Sequence, residues 1–348
     1  MNAYESRRFA FREGLQLRVT GRRPVLKHFE AEYRSAATRE DDSRPDVHVR
    51  FEPRPSGVHA RALIRGRHKT ARWAVALAAP DESPLTLWIA LDGRPLSFGL
   101  SLVQGYFVEP VLSVAAARGG DVLLPAAGLA DEQGATILLG RSRSGKSSVS
   151  VRALAAGKPT LGDDQILLDG IGRCRPFPRR LRFYADLPQT APSAYARLRP
   201  ATRGALRSLQ LFRELTRGYV APPIRVPATE LGAYAHGPHP TTRVFLIERA
   251  VAVEQLTITA ADTETAVEFA LTLLDEQRAR LREHIGSDWA LELRDARESE
   301  ERTLHSAFEG IPVRHIAVPK SWNAVRAIDA LAELLVEEPF RAEPGATR

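Results

Sequence analysis

Gly140-Arg-Ser-Arg-Ser-Gly145-Lys146-Ser147 follows the apolar run "ATILL" directly and precedes "SSVSVRALAAG", whose spacing is helical and which closes at Gly157. No other stretch restricts the fold as tightly. The pattern G-x-x-x-x-G-K-[ST] requires a strand that stops, a loop whose glycines let the backbone wrap an anion, and a helix whose first amides face it. Its chemistry is the binding of nucleotide phosphates. Gly140, Arg141, Ser142, Arg143, Ser144, Gly145, Lys146, Ser147 and Ser148 form the expected nucleotide-binding set. Lys146 is expected on the β- and γ-phosphates of ATP, and the Ser147 hydroxyl on Mg2+. Arg141 and Arg143 stand where smaller residues are common; they either add charge around the triphosphate or point to solvent.

Asp163 and Asp164 come one strand-helix-strand unit later, at the mouth of the apolar run "QILL". Successive side chains of a strand face opposite sides, so the two carboxylates divide their labour. One faces the metal and one the acceptor, which is the division that phosphoryl transfer to a hydroxyl requires. The structural alternative is a turn after Gly162 in which both aspartates bind backbone amides.

The rest of the chain frames this unit. Before residue 118, "LQLRV", "VHVRF", "RWAVALA" and "LTLWIAL" alternate apolar and polar residues and are expected as half-buried strands, with a helix over "RPVLKHFEAEYRSAA". That composes a small α+β domain over 1–118. The run 101–120 is helical in spacing with a break expected at Pro110. From 119 to 337, apolar strands alternate with helices, expected as an α/β core on a mixed sheet with long helices near 263–284 and 322–336. Between 185 and 242 the chain is rich in Pro, Arg and Gly around one amphipathic stretch, and is either a cover over the site or a connection. Residues 338–348 read as a polar tail.

Composition narrows the partners. The 348 residues, 44% of them hydrophobic, suffice for two domains. The net charge of +7 favours anionic partners. No helix-turn-helix, zinc-finger or RNA-binding signature accompanies it, so nucleic acid is not the expected partner. Apolar stretches are expected to fall short of a bilayer span, and residues 1–20 lack a signal-peptide apolar region, so the expected location is cytoplasmic without membrane attachment. The single cysteine, Cys174, excludes an internal disulfide and reads as a neutral thiol.

The segment from "ATILLG" to "DDQILL" resembles the core of the HPr serine kinase/phosphorylase family, and "RPFPRRLRFY" and "TRVFLIER" resemble segments of HPr kinase-related proteins that tailor peptides, lasso-peptide serine kinases among them. The resemblance spans roughly 101–335, but only the loop and the Asp pair are specific. It implies a P-loop kinase core of the phosphoenolpyruvate carboxykinase-like type, Asp163 as general base, Asp164 on magnesium, and an alcohol group as acceptor, with a homo-oligomer open. One departure stands out: family members carry a histidine before the loop at about Pro125. His236 and His239 are the candidates to replace it, and Arg179 and Arg180 to steady the transferring phosphate. The expected function is an ATP- and Mg2+-dependent kinase, with Lys146 and Asp163 at its centre, acting on a peptide serine or a small-molecule hydroxyl. The alternative is a nucleotide sensor without transfer.

Overall fold

A computed structural model describes residues 4–38, 44–52, 62–215, 223–232, 234–283 and 285–337. Its N-terminal part is a seven-stranded mixed sheet. The strands are β1 (Glu5–Arg12), β2 (Leu15–Gly21), β3 (Ala37–Thr38), β4 (Val47–Phe51), β5 (Ala62–His68), β6 (Ala71–Leu77) and β7 (Leu85–Asp92), in the order β3-β1-β2-β4-β7-β6-β5. In β2, Leu15, Leu17 and Val19 are buried and the residues between them are not, the alternation that the sequence carries. The expected strands all form. The first helix, α1 (Arg23–Glu32), stops short of the expected stretch and gives way to a single 3-10 turn.

Two further helices, α2 (Leu96–Val103) and α3 (Glu109–Arg118), are joined by a π-turn at Gln104–Val108. Pro110 lies in the first turn of α3, where its missing amide costs least, so the expected break appears as the π-turn ahead of it. One expectation is corrected here. Leu96–Arg118 is long and apolar enough to cross a membrane, but 78% of its most apolar window is buried by the protein itself. Its apolar character belongs to the core.

The second sheet contains β8 (Asp121–Leu124), β9 (Ala126–Asp131), β10 (Gly134–Gly140), β11 (Thr160–Gly162), β12 (Ile166–Asp169) and β13 (Arg173–Pro176). Beyond the two-stranded ribbon of β14 (Leu181–Phe183) and β15 (Ile224–Val226) come β16 (His239–Ala250), β17 (Thr257–Ala261) and β18 (Val313–Pro319). Its order is β11-β9-β10-β16-β13-β12-β8, with β18 on β16 and β17 on β18. β10, β16 and β18 run parallel. Helices cover both faces: α4 (Lys146–Ala155) and α10 (Ala324–Ala332) on one, α8 (Thr263–Arg282) and α9 (Ser287–Phe308) on the other. This double cover is why β10 reads as an unbroken apolar run.

Helix α9 was not foreseen. Its buried stripe of Trp289, Leu293, Ala296, Glu300, Thr303, Leu304 and Ala307 contains a charge, which hides the helical period. Glu300 is buried because Arg278 of α8 pairs with it, and Ser113 of α3 donates to the same carboxylate. Trp289 also donates to the Ala78 carbonyl at 2.8 Å. Leu123, Leu167, Phe177 and Trp289 accordingly share one apolar core with Phe9, Leu17 and Phe107.

Between the two ribbon strands lie α5 (Leu187–Thr190), α6 (Pro192–Arg197) and α7 (Pro200–Leu215). Leu181, Phe183, Leu187, Leu206 and Val226 pack against Val151 and Leu154 of α4. The Pro- and Arg-rich segment is thereby seated on the helix of the glycine loop. The tail expected at 338–348 lies outside the described residues.

Candidate functional site

The loop begins where β10 ends, in the middle of the sheet. Gly140 admits no side chain: a Cβ there would lie 2.6 Å from Ser144 Oγ and 2.8 Å from the Ile247 carbonyl. Gly145 opens α4 at φ 110°, in the left-handed region that favours glycine. The Lys146 ammonium donates to the carbonyls of Gly140 and, at 3.1 Å, Arg141. Burial pulls its pKa down, and Asp164 and Asp163 oppose that shift. Ser144 is buried, Ser147 and Ser148 are half-buried, and Arg141, Ser142 and Arg143 are exposed. Arg141 pairs with Glu276 of α8 at 2.9 Å, which favours the solvent-facing account of the loop arginines.

The aspartates occupy a bend between β11 and β12 rather than the start of a strand. The bend packs on the loop helix, with Ser147 Oγ donating to the Asp163 carbonyl at 3.4 Å. Their environments diverge as expected, although strand alternation is not the cause. Asp163 is 3% exposed; burial, reinforced by the Asp164 charge, raises its carboxyl to about 6. The Asp164 side chain is 45% exposed. Burial opposes its ionisation, but Arg182 and Arg179, with Lys146, outweigh that and hold its pKa below the ordinary carboxylate value.

Arg179 is buried and bridges two parts of the chain. Its Nη1 donates to Asp164 Oδ2 at 2.9 Å and to Glu109 Oε2 at 3.1 Å. Glu109 also accepts from Gln104 at 2.8 Å and from Tyr33 at 3.1 Å. Arg180 and Arg225 converge on Glu32, at the end of α1, each at 2.6 Å. Although burial opposes it, the charges of Arg225 and Arg180 bring the Glu32 carboxyl down to about 2. Neither Arg179 nor Arg180 is therefore a free guanidinium awaiting phosphate. The N-terminal residues Tyr33, Gln104 and Glu109 carry no motif; only the polarity of Gln104 and Glu109 inside an apolar run marked them in the sequence.

Of the candidate histidines, His239 does not reach the loop. Ile247 of β16 pairs with Gly140 at the loop, and His239 lies eight residues back along the same strand, about 26 Å at the usual rise. His236 precedes it and is exposed. Pro125 does stand beside the aspartate bend, since the adjacent Leu124 pairs with Ile166, and it contributes no titratable group. Cys174 is buried, its Sγ 3.3 Å from Thr241 Oγ1, and burial pushes its thiol up to about 12, so it is neutral as expected.

Hard oxygen donors from Ser147 and Asp164 suit a magnesium ion that completes its shell with nucleotide oxygens. Among the described residues no group of three His, Cys, Asp or Glu forms an all-protein metal cage. No protein-family model matches the chain, and no curated protein matches it.

Proposed function

We propose that the protein is a P-loop kinase of the HPr kinase-like type that transfers the γ-phosphate of ATP, with magnesium, to an alcohol hydroxyl on a peptide serine or a natural product. The observation that carries the proposal is the pairing of unlike carboxylates on consecutive residues beside the loop helix. A buried Asp163 whose carboxyl titrates near 6 is matched to accept a proton at neutral pH. Asp164, held ionised, suits the metal. The resemblance of the loop and Asp pair to HPr kinases supports the same roles.

In this reading the loop amides and Lys146 hold the β- and γ-phosphates, and Ser147 and Asp164 hold magnesium. Bound there, magnesium would neutralise charge on the nucleotide. Asp163 takes the proton of the acceptor hydroxyl as its oxygen bonds to the γ-phosphorus and ADP leaves. Glu109 acts through Arg179 to fix the Asp164 carboxylate. Pro125, in place of the family histidine, gives the second reading, a sensor that binds ATP without transfer.

Intact-mass measurement separates the two. Products of neighbouring genes are incubated with the protein, ATP and magnesium, beside the Asp163→Asn variant. Gain of one phosphate, slowed about 10²–10⁴-fold in the variant while ATP affinity holds, is the expected result. Equal turnover by Asp163→Asn would remove the base assignment. Tight nucleotide binding with no acceptor gaining mass would favour the sensor.

A further inference from the structure

The ribbon of β14 and β15 contains an arrangement that the fold alone does not explain. Its register sets Leu181 opposite Val226, Arg182 opposite Arg225 and Phe183 opposite Ile224. Directly opposed residues of an antiparallel pair project from the same face, and like charges so placed destabilise the pair. Leu181 and Phe183 turn toward α4 and its apolar cluster, so Arg182 faces away from that core.

The two arginines are not equally satisfied. Arg225 is held by Glu32 at 2.6 Å and is 14% exposed. The Arg182 guanidinium makes no side-chain hydrogen bond among the described residues; it lies 3.5 Å from Asp164 Oδ2, and its side chain is 31% exposed. Among the described residues, four guanidiniums, of Arg179, Arg180, Arg182 and Arg225, have three carboxylates, of Glu32, Glu109 and Asp164, as ion-pair partners. Arg182 shares Asp164 with Arg179, which holds it more closely, so its charge is only partly met before any metal arrives; Asp163, buried and with its pKa raised, is the other acid near it. Phosphates of the nucleotide already have Lys146 and the loop amides.

We infer that Arg182, backed by Arg225, is the seat for an oxyanion carried by the acceptor, a carboxylate or phosphate close to the hydroxyl that is phosphorylated. A guanidinium presents parallel N–H groups that match either oxyanion. The word acceptor rests on the kinase reading; the anion seat does not. It defines the substrate class as acidic hydroxyl compounds, with Arg182 as a specificity residue.

Calorimetric titration of the full chain with inorganic phosphate tests this, with and without a saturating magnesium complex of a nonhydrolysable ATP analogue. Phosphate is expected to bind the analogue-loaded protein. Arg182→Gln should weaken that binding about tenfold or more, as loss of a charge-assisted hydrogen bond predicts. Arg182→Lys should recover part of it. Lys146→Ala, without nucleotide, should retain phosphate binding that a further Arg182→Gln change removes. Circular dichroism checks that each variant is folded. The inference is overturned if wild-type protein binds no phosphate, if Arg182→Gln binds it as wild type does, or if the analogue displaces it, which would assign the arginine to the γ-phosphate. Failure of the analogue to bind wild-type protein would instead sink the kinase reading, and the Lys146→Ala titrations would still report on the anion seat.

Discussion

Replacing Arg179 with methionine tests whether the N-terminal sheet and the candidate site are joined by a buried charge. The guanidinium is 5% exposed and its Nη1 bonds both Glu109, itself 2% exposed, and Asp164. Removing one member of a buried pair costs about 3–5 kcal/mol, because the other charge is left uncompensated. Here the loss falls on Glu109; Asp164 is half exposed and its share is about 0–1 kcal/mol. Against this, Arg179 Nε and Nη2 are buried without partners, and their removal relieves part of a penalty of about 1–3 kcal/mol. The net expectation for Arg179→Met is a loss of roughly 2–4 kcal/mol. Adding Glu109→Gln removes the stranded charge and should recover about 1–2 kcal/mol. Urea unfolding followed by tryptophan fluorescence measures both, since Trp289 lies in the shared core. A single variant within about 0.5 kcal/mol of wild type, or a double variant that is simply additive, would refute the linkage.

Gly140→Ala should weaken ATP binding at least tenfold, because its Cβ collides with backbone at Ile247 as well as with Ser144; equilibrium dialysis with labelled ATP reads this, and unchanged affinity would count against the cradle. The transfer rate should rise with pH through about 6 as Asp163 ionises and then level off, and a flat profile from pH 5 to 8 would contradict its role as base. Asp163→Asn should also be more stable than wild type at pH 8. A carboxyl whose folded pKa is raised loses stability as pH climbs from its unfolded value to its folded one, so the difference should vanish below about pH 4, and a variant less stable than wild type at pH 8 would show that burial of the charge is not the governing cost.

Much of the local structure was legible. Period two in "LQLRV" and "VHVRF", and the glycine positions of the loop, dictate conformation through nearest neighbours and backbone sterics, which a sequence displays. Asp163 and Asp164 were legible as a pair, and so was their unlike behaviour. The cause was not: a bend, a buried carboxyl and two guanidiniums set their pKa values, and those neighbours are 15 and 18 residues away along the chain. Helix α9 escaped because Glu300 interrupts its apolar stripe, and only its contact with Arg278 makes that charge tolerable in a core.

The chain by itself fixed the strand, loop and helix around Gly140–Ser147, since each depends on residues within a few positions. The assembled fold alone decided how fully each arginine is paired. Arg179, Arg180 and Arg182 are near neighbours in sequence, yet Glu109 and Glu32 neutralise the first two from 70 and 148 residues away. Burial and ion pairing depend on distance in space, and only the packed core brings the carboxylates of the N-terminal part against the aspartate bend.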